Sequence, residues 1–205
     1  MTGTNTQKAD RRGSLCLSLS LAAALLLSAN ASYAHWQISN QLSQLNFTTT
    51  KAGNIGEVHR FKELTGLVDD AGNIRLEINT ASVDTLIPIR DERLQKILFQ
   101  SGVFPTAVFT AAIEGGLPTD LAVGTSRVID LSGSLTIRDK STPTSGQVLV
   151  TRVNARTILV TSLAPFIVNA GAFDLAGAVD QLREIAGLPS ISLAVPVTFT
   201  LTITG

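Results

Sequence analysis

The chain reads as an all-β protein, one antiparallel sheet closed as a barrel with two short helices against it. Three observations predict this. Apolar residues recur at every second position through most of the chain beyond residue 35, turn-forming clusters fall between these runs, and only two stretches switch to helical spacing. Such alternation marks antiparallel strands with one face buried and the other wet. Closure follows from the edges: an open all-β sheet leaves unpaired N–H and C=O groups, and a barrel removes them.

The N-terminus comes first. Arg11 and Arg12 precede the uncharged run Leu15–Leu27, and the small residues Ser32 and Ala34 flank Tyr33. A basic start, an apolar middle and a small-residue site together read as a secretory signal peptide. The run is short for a membrane span, so an uncleaved anchor is the lesser reading. Residues 1–34 are therefore expected to leave, with Ala31 as the alternative cleavage point, and 35–205 to form one domain. Ser14 stands where a twin-arginine signal prefers a large apolar residue, which favours ordinary Sec export. The chain's one cysteine, Cys16, lies in the leader. The exported domain thus has neither disulfide nor thiolate metal site, and its stability must come from apolar burial. Loss of Lys8, Arg11, Arg12 and Asp10 leaves 13 basic against 15 acidic residues, a balance that argues against a nucleic-acid partner.

Strands follow. Ile74, Leu76 and Ile78 alternate with polar neighbours, as do Ile129, Leu131, Gly133, Leu135 and Ile137. The C-terminal run puts Ile191, Leu193, Val195, Val197, Phe199, Leu201 and Ile203 on one face. Pro196 cannot donate to a ladder and marks an edge or a bulge. Asp69–Asn73 reads as a hairpin loop, with Asp69 and Asp70 as turn chemistry. Glu114–Asp120 and Asp139–Gly146 read as longer loops. Of the two helices, Arg90–Ser101 carries Leu94, Ile97 and Leu98 at helical spacing. Asp174–Gly187 carries a stripe of Leu175, Ala178, Val179, Leu182, Ile185 and Ala186, with Gly187 at C′ and Pro189 beyond it.

Residues suited to catalysis are few. No serine sits in a G-x-S-x-G turn, and there is no phosphate loop and no Cys-x-x-Cys. An N-terminal His35 offers an amine and an imidazole to copper, with His59 as its one partner. Against this, His59 sits in the charged stretch "EVHRFKEL", which reads as solvent-facing. Arg90 and Asp91 open the first helix. Asp91 suits the helix dipole, and Arg90 is placed to meet a ligand's polar head at a cavity mouth. Phe47, Phe61, Phe99, Phe104, Phe109 and Phe199 are either core or ligand wall. Barrel size decides, since about eight strands either fill with side chains or enclose one small ligand.

The stretch Ile78–Phe109 resembles the YceI-like family of exported lipid-binding proteins. "INTASVDT" (Ile78–Thr85) matches that family's T-x-S-V-D-T strand end, "RDERL" (Arg90–Leu94) its helix start, Phe99 the aromatic that follows, and "FPTAVF" (Phe104–Phe109) its next strand. Trp36, Ile38, "LNF" (Leu45–Phe47), Phe61 with Gly66, and "LSGSLTI" (Leu131–Ile137) fit weaker elements. The family often flanks the "LNF" segment with histidines, where this chain has Leu42 and Lys51.

The resemblance implies a lipocalin-like antiparallel β-barrel whose lumen holds a long apolar chain, a polyisoprenoid or quinone-like lipid. It implies no enzyme activity, no catalytic residue, no metal and no cofactor other than that bound lipid. With the alternation it gives an expected cavity wall of Phe47, Phe61, Ile78, Leu94, Leu98, Phe99, Phe104, Phe109, Leu131, Leu135 and Phe199, with Arg90 at the polar mouth. The expected setting is the periplasm, with transient membrane contact for lipid exchange. Two other readings stand beside it: an interaction or stress-response protein with a filled barrel, and a copper-site enzyme using His35.

Overall fold

The computed structural model describes residues 1–4, 36–69 and 71–205. The expectations for the leader, for His35 and for Asp70 fall on residues 5–35 and 70, outside the described set.

Among the described residues the strands run in chain order as β1 Trp36–Ile38, β2 Gln44–Lys51, β3 Ile55–Phe61, β4 Leu64–Val68, β5 Asn73–Asn79, β6 Val83–Asp84, β7 Thr106–Ala112, β8 Ser126–Ile137, β9 Lys140–Asn154, β10 Thr157–Ser162, β11 Phe166–Asn169 and β12 Ala194–Thr204. A 3₁₀ turn at Asn40–Leu42 divides one wall strand into β1 and β2, and β3 with β4 forms its hairpin partner. Counted this way, eight antiparallel strands make a ring: β1/β2, β3/β4, β5, β7, β8, β9, β10/β11 and β12. β12 closes it by pairing with β1 at Thr204 and Ile203 and with β2 at Val197–Thr200.

Pro196 pairs with Ile167 of β11 on one side, and on the other it falls where pairing with β2 lapses, between Val197 and the isolated bridge Lys51–Ile191. The Asp69–Asn73 hairpin is tied by Asp69 Oδ1 and Oδ2, which accept from the Asn73 backbone N–H and side-chain amide at 2.8 Å each.

Three expectations are corrected. Asp139–Gly146 is not a loop. Arg138 (φ 56°) and Asp139 make a tight turn, and Lys140 onward is β9, paired with β8 from Ile137 to Ser126. Its first residues pair on one side only, because β10 joins at Val148. Pro143 is tolerated on such an edge. The first helix starts earlier, as α1 Pro88–Arg93 with Pro at its N-terminus, and continues as a π-helical turn, Leu94–Phe99, ended by left-handed Gln100 (φ 51°). The second helix, α2, spans Ala176–Ile185. Asp174 lies outside it in the left-handed region, its carboxylate bound to Lys140 Nζ at 3.1 Å. Gly187 does take the left-handed position after α2 (φ 63°).

The far end of the barrel is the last rung of β1 and β12. Trp36 is buried there against Gly205, with the Arg152 guanidinium 5.6 Å from its ring centroid. The opposite end carries the β2–β3 turn, α1, the π turn and α2, and α2 packs on the π turn.

Candidate functional site

The register of β2 and β3 grades the barrel lining from apolar to polar. Leu45 pairs with Phe61, Phe47 with His59, and Thr49 with Glu57. Residues two apart on a strand share a face, so Leu45, Phe47, Thr49 and Lys51 run up one inward row, and Phe61, His59 and Glu57 run up the next. Deep in the barrel these rows are hydrocarbon and phenyl. Toward the helical end they carry a hydroxyl, an imidazole and charges.

The inward faces do not meet in the middle. They enclose a cavity of about 500 Å³. Its wall runs from Ile38, Val68, Ile113, Leu117 and Ile203 at the Trp36 end to Ile87, Ile89, Leu188 and Ile191 at the helical end. Polar lining is confined to Thr49, Lys51, Glu57, His59, Arg90, Arg93, Thr144 and Ser192. The two helices complete the wall. Leu94, Leu98 and Phe99 come from the π turn, and Val179 and Leu182 from α2, with Leu175 just before it and Ala186 just after. An extra residue in the π turn shifts the face a helix presents, and here Leu98 and the adjacent Phe99 both reach the lumen.

Most of the sequence-predicted wall is thus brought together. Phe47, Phe61, Ile78, Leu94, Leu98, Phe99, Phe109, Leu131, Leu135 and Phe199 line the cavity, and Arg90 lies on it at the helical end. Phe104 does not. It lies in the loop before β7, where its carbonyl accepts from Thr80 Oγ1 at 3.0 Å and its side chain is half-buried outside the lumen. The Phe-Pro pair ends a turn there, and inward alternation begins only at Ala107 and Phe109. Leu193 also leaves its expected face, packing with Phe173 and Leu175 beneath α2.

His59 corrects its expectation outright. It is buried, at 5 % exposure, not solvent-facing. Its Nε2 and the Thr49 hydroxyl are 2.9 Å apart, while Nδ1 has no protein partner. Phe47 lies 5.2 Å from its ring, Phe61 5.3 Å beyond that, and Phe99 meets Phe61 edge-on at 5.6 Å. Above them Glu57 accepts from Lys51 Nζ at 2.9 Å and Arg90 Nη1 at 2.8 Å, and Arg90 Nη2 donates to the Thr85 carbonyl at 2.7 Å. Lys51's hydrogen bond, opposed by burial and aided by Arg90, holds the Glu57 carboxyl below its usual range. Burial, then the nearby Arg90 charge, pushes the His59 imidazole below its own, so it is neutral at neutral pH.

Arg90 is held by the turn before it. Asp91 Oδ1 accepts from the Thr85 backbone N–H at 2.9 Å and from its hydroxyl, fixing Thr85–Ile87 against α1. Asp91 therefore does more than sit favourably in the helix dipole.

Sequence reasoning missed Thr49, Lys51, Glu57, His59 and Phe166 in the lining. The signal for the first two was present, since the period of two through Leu45 and Phe47 carries on to Thr49 and Lys51; Glu57 and His59 join them only through the register of β3. Phe166 sits in a four-residue strand too short to alternate visibly, and its ring covers Gly146, where a Cβ would lie 2.7 Å from it. Among the described residues no group of three or more His, Cys, Asp or Glu is placed to hold a metal.

Comparison with known proteins follows the same outline. The model of the YceI-like domain family matches residues 36–203. A polyisoprenoid-binding domain from Saccharophagus degradans, implicated in plant cell wall breakdown, is 31 % identical. Its solved structure covers 84 % of this chain and 99 % of its own, with a TM-score of 0.80. Burkholderia cenocepacia BcnA, 20 % identical, shares the fold over 80 % of this chain and 98 % of its own, with a TM-score of 0.60. No curated protein matches.

Proposed function

Because the chain belongs to the YceI-like domain family, we propose that it is a binding and carrier protein that sequesters a long apolar lipid, polyisoprenoid or quinone-like, in its barrel. The observation that carries this reading is the cavity of about 500 Å³ with an apolar wall running along the barrel interior. That volume is in the range of small-molecule sites, about 300–1,000 Å³, and it weighs against a filled barrel. The similar Saccharophagus degradans domain, which binds polyisoprenoid, supports the ligand class.

Mechanism here is exclusion of water. Each buried methylene contributes ~0.8 kcal/mol, so ten would give roughly 8 kcal/mol before the cost of ordering the tail. Binding then needs few polar contacts, and the protein needs no catalytic group. The leader read in the sequence supports a periplasmic setting, with lipid exchanged at a membrane. Organic extraction of the purified protein followed by mass spectrometry tests the reading: a co-purifying prenyl lipid is expected. A ligand-free extract together with no uptake of polyprenyl probes overturns it.

A further inference from the structure

His59 is the anomaly of the cavity wall. It is a histidine at 5 % exposure among phenyl rings, with one nitrogen bound and the other unpartnered. A neutral imidazole carries one donor and one acceptor. Thr49 engages Nε2 in either sense, because a hydroxyl both donates and accepts. If Thr49 donates, Nδ1 carries the proton and needs an acceptor. If Nε2–H donates to Thr49, Nδ1 needs a donor. Either way one buried hydrogen bond is unmade, and the desolvation of that nitrogen is left uncompensated. A barrel whose purpose was only to enclose hydrocarbon would be better served by leucine there.

We propose that His59 is the head-group anchor of the cavity: an uncharged oxygen at the polar end of the lipid, a carbonyl or a hydroxyl, completes the hydrogen bonding of its imidazole while the tail lies along the apolar wall. This rests on the carrier reading above and deepens it. The position fits, because His59 stands on the β2–β3 ladder between the apolar rows and the charged end. Burial among phenyl rings disfavours a phosphate at His59 itself, although Lys51, Arg90 and Arg93 outnumber Glu57 at the polar end of the lining. Lys51 and Arg90 are both engaged by Glu57, and a phosphate beside His59 would be desolvated against Phe47 and Phe61. An uncharged oxygen carries no such penalty.

The test titrates the delipidated protein with four lipids sharing one prenyl tail and ending in hydrocarbon, hydroxyl, benzoquinone or phosphate. The hydroxyl or the quinone lipid is expected to bind roughly five- to tenfold more tightly than the hydrocarbon, the size of one hydrogen bond, and the better of the two identifies the head. His59→Leu should erase that preference, so that the oxygen-headed and hydrocarbon lipids bind alike, while His59→Gln should retain part of it. Should the leucine variant fold poorly, the wild type still decides. The chain has only two histidines, so the imidazole nitrogen resonances of His59 can be followed directly. They should move with the oxygen-headed lipid and stay with the hydrocarbon. A preference that survives in His59→Leu, resonances unmoved by any oxygen-headed lipid, or phosphate as the best ligand overturns the anchor. Failure of all four lipids to bind overturns the carrier reading itself.

Discussion

Stability in mild acid turns on His59. Burial, reinforced by Arg90 and Lys51 and opposed by Glu57 and Asp91, lowers its pKa from the ordinary 6.5. Below that value the unfolded chain takes up a proton that the folded one refuses, so stability falls as pH drops through about 6.5. Glu57 and Asp84, held below their ordinary 4.5 and 3.8, contribute stability that is lost only at lower pH. Tm should therefore decline as pH falls below about 6.5, and His59→Gln should remove that limb; thermal melts across mildly acidic pH check it, and an unchanged decline in the variant refutes the assignment. Gly133 is a second single-residue test. Its φ is ordinary, yet a Cβ there would lie 2.3 Å from the Thr110 carbonyl and 2.7 Å from Phe109 Cζ. Gly133→Ala should cost about 1–3 kcal/mol in denaturant unfolding by overpacking. The alternation placed Gly133 on the inward face, but only the register with β7 shows that it makes room for Phe109.

At the level of elements, the turn into α1 depends on one carboxylate. Asp91 takes both Thr85 donors and sets the path that brings Arg90 to Glu57. Asp91→Ala should destabilise the fold by about 1–2 kcal/mol, as loss of a capping side chain does. It should also weaken lipid binding by loosening the Leu94–Phe99 wall, and chemical unfolding beside a lipid titration separates the two effects. The helix itself was legible from Leu94, Ile97 and Leu98. Its π turn was not, because the sequence shows a spacing and the extra residue is accommodated by packing against Phe61 and the lumen. The α2 stripe was legible too. Its fate was not: Val179 and Leu182 stay half-exposed because they face a cavity, not a packed core.

For the whole molecule the question is whether the lumen is occupied by ligand or by side chains, and it can be forced either way. Ala107 is buried on the cavity wall. Ala107→Phe should reduce prenyl-lipid affinity at least about tenfold while the empty protein stays folded, since a ring fills space that the tail would use. In the wild type, lipid at a hundred times its Kd should raise stability by about 2.7 kcal/mol, a gain the variant should largely lose; calorimetry with and without lipid reads both. The sequence by itself determined the all-β class, the inward identity of most wall residues and the family, because alternation and short motifs are local properties that each strand carries alone. The tertiary structure decided that the inward rows enclose a void, that both helices complete its wall at one end, and that His59, Thr49 and Glu57 form a polar pole above a phenyl collar. Those outcomes depend on strand number, stagger and cross-strand register, which arise only when distant segments close into a ring.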